Sequence, residues 1–309
     1  MNNSPMKRLH DNIAQRILGA DKAIEAVLVC LLSGGHILIE DVPGVGKTSL
    51  IRALADSLAL SVSRIQFTPD TLPSDITGLN LYDMPSGTFR FIPGPIMHQI
   101  LLADEINRTS PRTQAALLEA MEEHCVTVDG ETLPLPEPFM VAATQNPVES
   151  IGTYALPEAQ MDRFMMKISL GYPSPAVSRD MARRFLDGSL HEETRPVLTE
   201  SEILEAKQDV LKVSVHEDLI DYAASLVEFT RRSGDVLCGA SPRAFLDLLQ
   251  ASRALAFLDG RDFCTPEDIR KNAKPVLAHR LIMSPEAMMR SLNGEKIIDR
   301  TLLEVSMPE

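Results

Sequence analysis

Lys47 and Thr48 follow Gly44 and Gly46 at the end of an apolar run, in the segment His36 to Leu50, HILIEDVPGVGKTSL. Glycines let backbone N–H groups converge on a polyphosphate, and a helix starting directly after them adds the positive end of its dipole. In that frame Lys47 reaches the β and γ phosphates and the Thr48 hydroxyl ligates Mg²⁺, while Val42, Pro43, Val45 and Ser49 complete the cradle. The strict pattern is G-x-x-x-x-G-K-[ST], and here its first position is Asp41. Gly44, Gly46, Lys47 and Thr48 are the positions nearest the phosphates, so Asp41 weakens the motif only when it is read alone. A chance GKT on an ordinary loop is the alternative, set against a strand and a helix that stand where the motif needs them.

A second constellation bears on the first. Residues 100–105, ILLADE, read as a buried strand ending in two adjacent carboxylates, which a core strand does not keep without a task. Asp104 can hold a Mg²⁺ shell through water, and Glu105 can polarise the water that attacks a γ phosphate. Taken alone, the pair also reads as two solvated acids at the start of a loop. A third apolar run, Phe139 to Thr144, leads into Gln145-Asn146-Pro147. It places an amide side chain at the carboxyl edge of the same sheet, where open α/β sheets bind their ligands.

The elements that must position these groups are set by periodicity. Strands are expected at Ile37–Ile39, Val62–Phe67, Ile100–Ala103, Phe139–Ala143 and Met166–Leu170, alternating with helical periods. Such alternation specifies a parallel sheet with helices on both faces. The helix after the phosphate loop puts Leu50, Ile51, Leu54, Ala55 and Leu58 on one stripe. Gly171-Tyr-Pro-Ser-Pro175 then breaks the pattern, and the rest of the chain reads as helical. The expected architecture is an α/β nucleotide-binding domain over residues 1–173 and a small all-α lid over residues 174–309, joined by a Pro-containing hinge. Within the lid, Ser241 is a good N-cap and Pro242 a good first helical residue, with Ala244, Phe245, Leu248, Leu249, Leu255 and Ala256 as the buried stripe. Arg243 therefore sits in a first turn, where it opposes the helix dipole at a cost of about 0.3–1 kcal/mol unless an anion is near. A solvated Arg is the other reading. Thr265-Pro-Glu-Asp268 is a further capped helix start. Gly78–Asp83 and Gly87–Ile92 flank a turn and read as a hairpin in a region near residues 76–97, with Phe89 and Phe91 alternating with Arg90.

Composition sets limits. A chain of 309 residues is long enough for two domains, each with its own core. With 44% hydrophobic residues and no Trp, it reads as a soluble, helix-rich protein. A formal charge of -13 argues against clamping nucleic acid by bulk electrostatics, although it leaves room for a local basic channel. Cys30, Cys125, Cys238 and Cys264 show no metal-ligand spacing and no reason to pair, which suits a reducing cytosol. The start, MNNSPMKRLH, lacks the apolar core of a secretory signal, and the apolar run Ala26–Leu32 is too short to span a bilayer. The expected location is cytoplasmic, without membrane insertion.

These residues resemble the AAA+ ATPases and, within them, the MoxR family. The likeness is carried by GGHILIEDVPGVGKT, RIQFTPDTLPSDITG, FRFIPGPI, LLADEINR, TQAALLEAMEE, AATQNP and LPEAQMDRF, and it covers nearly all of residues 15–285. It implies ATP and Mg²⁺ as ligands, with Asp at the first phosphate-loop position tolerated. It implies that Asn146 orients the lytic water as sensor 1. Arg163 matches the position that supplies an arginine finger to a neighbouring subunit, and Arg243 matches sensor 2. Ile17 and Leu18 match the N-terminal box against adenine, with Ala20 where relatives often carry Gln. The hairpin lies where the family has an insert facing a ring pore; packing on its own subunit is the alternative. Arg108 could contact a neighbour or stand as an exposed loop arginine. The resemblance further implies a homo-oligomeric ring, a hexamer, that remodels or matures a protein client, with a von Willebrand factor A domain protein as partner. A nucleic-acid motor of the related helicase type and a slow, nucleotide-gated scaffold remain as alternatives.

Overall fold

Short apolar runs, three to five residues in β1, β5 and β8 and interrupted by polar residues in the two edge strands, build the central sheet of this protein. The computed structural model describes residues 5–42, 44–146, 154–188 and 195–308, so Pro43, expected in the phosphate cradle, lies outside the described residues. The chain begins with α1 (Pro5–Arg16), α2 (Asp21–Ser33), β1 (Ile37–Glu40), α3 (Lys47–Ser57), β2 (Val62–Gln66) and α4 (Pro73–Thr77). Next come β3 (Gly78–Asp83), β4 (Thr88–Pro93), β5 (Ile100–Asp104), α5 (Pro111–Glu123), β6 (Cys125–Val128) and β7 (Glu131–Pro134). The sheet is completed by β8 (Met140–Gln145), then α6 (Glu158–Met161), then β9 (Met166–Ile168).

Five strands pair in the order β2-β5-β8-β1-β9, every neighbour parallel. All five expected strands are present. Residues of β1, β5 and β8 are buried almost without exception, as a parallel sheet covered on both faces requires. Alternate residues feed two cores. Ile37, Ile39, Ile100, Leu102 and Met140 face the larger one with α1, α2 and α3, whereas Leu38, Leu101, Ala103 and Val141 face the smaller one with α5.

Beyond β9 lie α7 (Pro175–Leu186), α8 (Glu200–Val210), α9 (Glu217–Arg232), β10 (Val236–Cys238), α10 (Pro242–Leu258), α11 (Pro266–Leu277), β11 (Ile282–Met283), α12 (Pro285–Met289) and α13 (Gly294–Glu304). The lid is helical as expected, with one addition. β10 and β11 pair antiparallel over two or three residues, too short a ladder for alternation to reveal. A second difference is in the core. Instead of a separate core for each part, one cluster runs from the sheet through α2 into α10 and α11. Its cause is α2, buried from Ala23 to Leu32 on more than one side, which packs on α10 and α8 as well as on β9.

The hairpin of β3 and β4 forms as expected, with Gly78 opposite Pro93 and Asp83 opposite Thr88. The four cysteines are unpaired. Among the described residues no helix is long and apolar enough to cross a membrane.

His36 fixes the amino edge of the sheet. Its Nδ1 accepts from the Val141 N–H at 3.0 Å, which leaves Nε2–H to donate to the Met121 carbonyl at 3.1 Å. The ring is therefore neutral, and burial pulls its pKa down to about 4, with the Met121 carbonyl acting the other way. Because the unfolded chain takes up this proton first, stability is lost as pH falls from 6.5 towards 4. The slope from this one group is about 1.4 kcal/mol per pH unit. Urea unfolding at pH 7 and pH 5 should show that loss, and His36→Gln should remove about one proton's worth of the slope; an unchanged slope would exclude His36 as its source.

Candidate active site

β1 ends in Glu40, and the chain then turns through Gly44 and Gly46 into α3. Both glycines are left-handed, with φ of 84° and 95°, and a Cβ at either would meet no atom within 4 Å, so conformation rather than space demands glycine there. Gly46 is the N-cap of α3 and supplies no side-chain acceptor to the first helical N–H groups. A helix start of this kind suits an anion. Val42, Val45, Gly46, Lys47 and Thr48 are half-buried along it, and Ser49 is exposed.

Lys47 bridges two strand ends, donating from Nζ to the carbonyls of Asp41 and, at 3.2 Å, Gln145. Burial pulls its ammonium below the ordinary value, against Asp41, Asp104, Glu105 and Glu40, which favour the charged form. Thr48 Oγ1 donates to Asp104 Oδ2 at 3.4 Å, so the two oxygens that could serve a divalent cation already converge across the gap between α3 and β5. Asp104 is buried; its carboxylate also accepts from Thr144 Oγ1 at 3.1 Å and Arg64 Nε at 2.7 Å. A hydroxyl and a carboxylate below a lysine and an open glycine turn form a hard-oxygen donor set that fits Mg²⁺ with a nucleotide polyphosphate.

Glu105 stands beside this pair with φ of 57°, a left-handed conformation unusual for a residue with a side chain. Its N–H donates to Thr144 Oγ1 at 3.0 Å, which fixes the backbone. Its Oε2 accepts from Gln66 Nε2 at 2.7 Å and Arg108 Nη1 at 2.9 Å. Asn146 is buried just past the end of β8, where its carbonyl accepts from Asn107 Nδ2 at 3.5 Å. The structure thus gathers Lys47, Thr48, Asp104, Glu105 and Asn146 at the carboxyl edge of the sheet. Arg108 turns out to be a ligand of Glu105. Arg64 and Gln66 were missed by sequence reasoning; the signal was their alternation on edge strand β2, whose register sets Gln66 opposite Asp104. Ile17 and Leu18 lie half-buried in the turn between α1 and α2, with Ile17 against the larger core.

Arg163 and Arg243 are elsewhere. Arg163 Nη2 reaches Glu122 Oε2 at 2.8 Å, and Arg243 Nη1 reaches Glu122 Oε1 at 3.2 Å, so one carboxylate holds both guanidinium groups. Glu122 follows Met121 at the His36 end of β1, and Met165 N–H donates to the His36 carbonyl at 2.9 Å. The cluster therefore lies at the amino edge of the sheet. β1 separates it from this chain's own glycine turn by four residues, roughly 13 Å of strand. Ser241 caps α10 as expected, accepting from the Ala244 N–H at 3.0 Å, and donates to Asp162 Oδ1 at 2.9 Å. Below the cluster Arg280, its side chain only 1% exposed, bonds the carbonyls of Asp162 and Phe164 and pairs with Asp162 and Asp247. This buried guanidinium, also missed from sequence, clamps the Arg163 segment to α10.

The sequence profile described as ATPase family associated with various cellular activities (AAA) matches residues 36–166, and the AAA lid domain profile matches residues 228–301. Chaperone MoxR1 of Mycobacterium tuberculosis is 40% identical over 313 residues, which cover 98% of this chain and 82% of that protein. The chain belongs to the MoxR family of AAA+ ATPases. This MoxR-family ATPase is also 46% identical to the protein YeaC of Bacillus subtilis over 281 residues, 91% of its own length and 88% of the relative's. A crystal structure of a protein from Cytophaga hutchinsonii superimposes with a TM-score of 0.92 at 38% identity, covering 99% of this chain and 95% of the other.

Binding and chemistry should separate on mutation. Lys47→Ala should weaken ATP binding, whereas Glu105→Gln should spare binding and cut turnover by about two orders of magnitude or more. Nucleotide affinity and single-turnover hydrolysis on both variants check this; normal hydrolysis by Glu105→Gln would remove Glu105 from the chemistry.

Proposed function

We propose that the protein hydrolyses ATP with Mg²⁺ at sites completed between subunits of a ring, and couples the cycle to remodelling or maturation of a protein client. The nucleotide-binding part is residues 1–173, and the lid, residues 174–309, carries Arg243. Gly44, Gly46 and the first N–H groups of α3 hold the phosphates, and Lys47 neutralises the β and γ oxygens. Thr48 and Asp104 would hold Mg²⁺, which when bound would neutralise charge on the transferring phosphoryl group. Glu105 takes the proton of the attacking water, and Asn146 holds that water in line. Gln66 and Arg108 hold the Glu105 carboxylate until the water is in place.

One observation carries the assignment between subunits. Arg163 and Arg243 share Glu122 at the edge of the sheet opposite their own phosphate loop. Each of the three side chains is between a quarter and a half exposed, so a neighbour's phosphate has access to both arginines. Both therefore serve the next subunit, and the cost of an arginine in the first turn of α10 is met by Glu122 before assembly and by phosphate after it.

The client side of the reading rests on the hairpin. Tyr82, Met84 and Phe89 are exposed on β3, the turn and β4, beyond the Asn80–Asp129 hydrogen bond of 2.9 Å that ties β3 to the turn after β6. Such a surface suits contact with a polypeptide in the pore of a hexamer. By family likeness a von Willebrand factor A domain protein is the proposed partner.

Mg²⁺ with a slowly hydrolysed ATP analogue should shift the chain towards a closed ring, because a ligand touched by two subunits favours the assembled state. Mass measurements across nucleotide states and concentrations test this, and a fully active strict monomer would sink it.

Arg163→Ala should bind ATP nearly normally yet hydrolyse it about 10³- to 10⁵-fold more slowly, as loss of an arginine finger does. Mixed with Lys47→Ala subunits, it should regain partial activity at interfaces that join an intact pocket to an intact finger. Arg243→Ala should complement Lys47→Ala in the same way. If subunits exchange and no activity returns, the arginines do not act across the interface.

A further inference from the structure

Asp41 stands where the phosphate-loop pattern has glycine, and its side chain is engaged on the far side of the loop from Thr48. Oδ2 accepts from Ser169 Oγ at 2.8 Å and from the Gly171 N–H at 2.7 Å, while Oδ1 accepts from the Val42 N–H at 2.8 Å. Ser169 and Gly171 belong to the connection between β9 and α7, the Pro-containing hinge. The residue is 9% exposed, and three donors on one buried carboxylate make a built contact. Burial alone would push the Asp41 carboxyl up, but the bonds from Gly171, Ser169 and Val42 outweigh it and hold the group below its ordinary value, ionised at neutral pH. At the same residue the main-chain carbonyl accepts from Lys47 Nζ. Asp41 is thus bonded through its backbone to the lysine of the phosphate loop and through its side chain to the start of the lid.

We propose that Asp41 is a positioning residue that ties the phosphate loop to the hinge at residues 169–174, so that seating of nucleotide on Lys47 is passed to α7. The proposal rests on the phosphate-loop reading of Gly44–Thr48 and adds a route from it to the lid. A glycine at position 41 would satisfy the strict loop pattern and remove all three side-chain bonds. The departure from the pattern is then the coupling device itself: loop and hinge are one hydrogen-bonded unit, where a glycine would leave them merely adjacent.

The test is hydrogen exchange in the full chain, with and without Mg²⁺ and a slowly hydrolysed ATP analogue, together with steady-state kinetics. In Asp41→Gly, peptides covering 169–174 should exchange about tenfold faster while those of β1, β5 and β8 keep their rates, because only local bonds have been lost. The analogue should slow exchange in α7 of the parent protein and leave α7 of Asp41→Gly unchanged. Turnover should fall about tenfold with KM moving less than about threefold, as for a loss of positioning and not of binding. Asp41→Asn keeps an oxygen for Ser169 and Gly171 and should restore both the hinge protection and the α7 response. Ser169→Ala, which removes one bond from the opposite partner, should fall between. Asp41→Gly with parental turnover and a parental α7 response overturns the proposal. Faster exchange throughout the sheet without rescue by Asp41→Asn also overturns it, since Asp41 would then only support the fold. Lys47→Ala run in parallel separates the two readings: undiminished affinity for the analogue refutes the phosphate-loop assignment and the coupling with it, whereas a normal loss there beside a parental Asp41→Gly refutes the tether alone.

Discussion

Parallel pairing of β1 with β8 on one side and β9 on the other is the constraint that decides which groups of this molecule meet. Because the strands share a direction, every loop that leaves a carboxyl end arrives at one edge, and every segment that enters an amino end arrives at the other. Asp41, Asp104 and Asn146 are brought together by the first consequence, Arg163 and Glu122 by the second. An antiparallel arrangement of the same strands would have scattered both sets. Four residues of β1 are all that lie between a site rich in carboxylates and one rich in guanidinium groups. In the proposed ring, head-to-tail contact of two copies would set the second edge of one against the first edge of the next, an arrangement that closes when the rotation between copies permits it.

The two edges are stiffened differently. At the carboxyl edge, Asp104 is held by three partners and the Glu105 backbone by Thr144, so the acidic pair is fixed before any ligand is present. At the amino edge His36 is joined by Arg280, a charge withdrawn from water and compensated by two carboxylates and two carbonyls. Replacing only one of its partners leaves a buried charge short of compensation, so this network is intolerant of single changes. Glu122 above it is more exposed and its two ion pairs are correspondingly weak. That contrast suits the proposed exchange of Glu122 for a neighbour's phosphate.

What the sequence made legible was local. The strands came from short apolar runs, the phosphate loop from glycine spacing, α10 from Ser241 and Pro242, and the hairpin from a turn between alternating residues. What it concealed was contact between segments distant in the chain. Nothing near Arg163 or Arg243 announces Glu122, which lies 121 residues from Arg243. Arg64 and Gln66 alternate along β2, and only the register with β5 puts them on Asp104 and Glu105. Asp41 read as a defect because its donors, Ser169 and Gly171, follow a different strand. In the same way the apolar excess of α2 could be counted but not apportioned between sheet and lid.

The β3–β4 hairpin is a two-stranded ribbon, and among the described residues no further strand of its sheet covers either outer edge. Leu81, Tyr82, Met84 and Phe89 lie exposed on the same ribbon. Unsatisfied strand edges beside apolar side chains invite another chain to add itself by backbone pairing, a liability in any free subunit. A formal charge of -13 offsets it by keeping copies apart in dilute solution. That protection is electrostatic and fades as ionic strength rises. By that argument, raising the ionic strength of a solution of isolated subunits would favour contact between exposed ribbons, the opposite of salt's usual use as a solubilising agent.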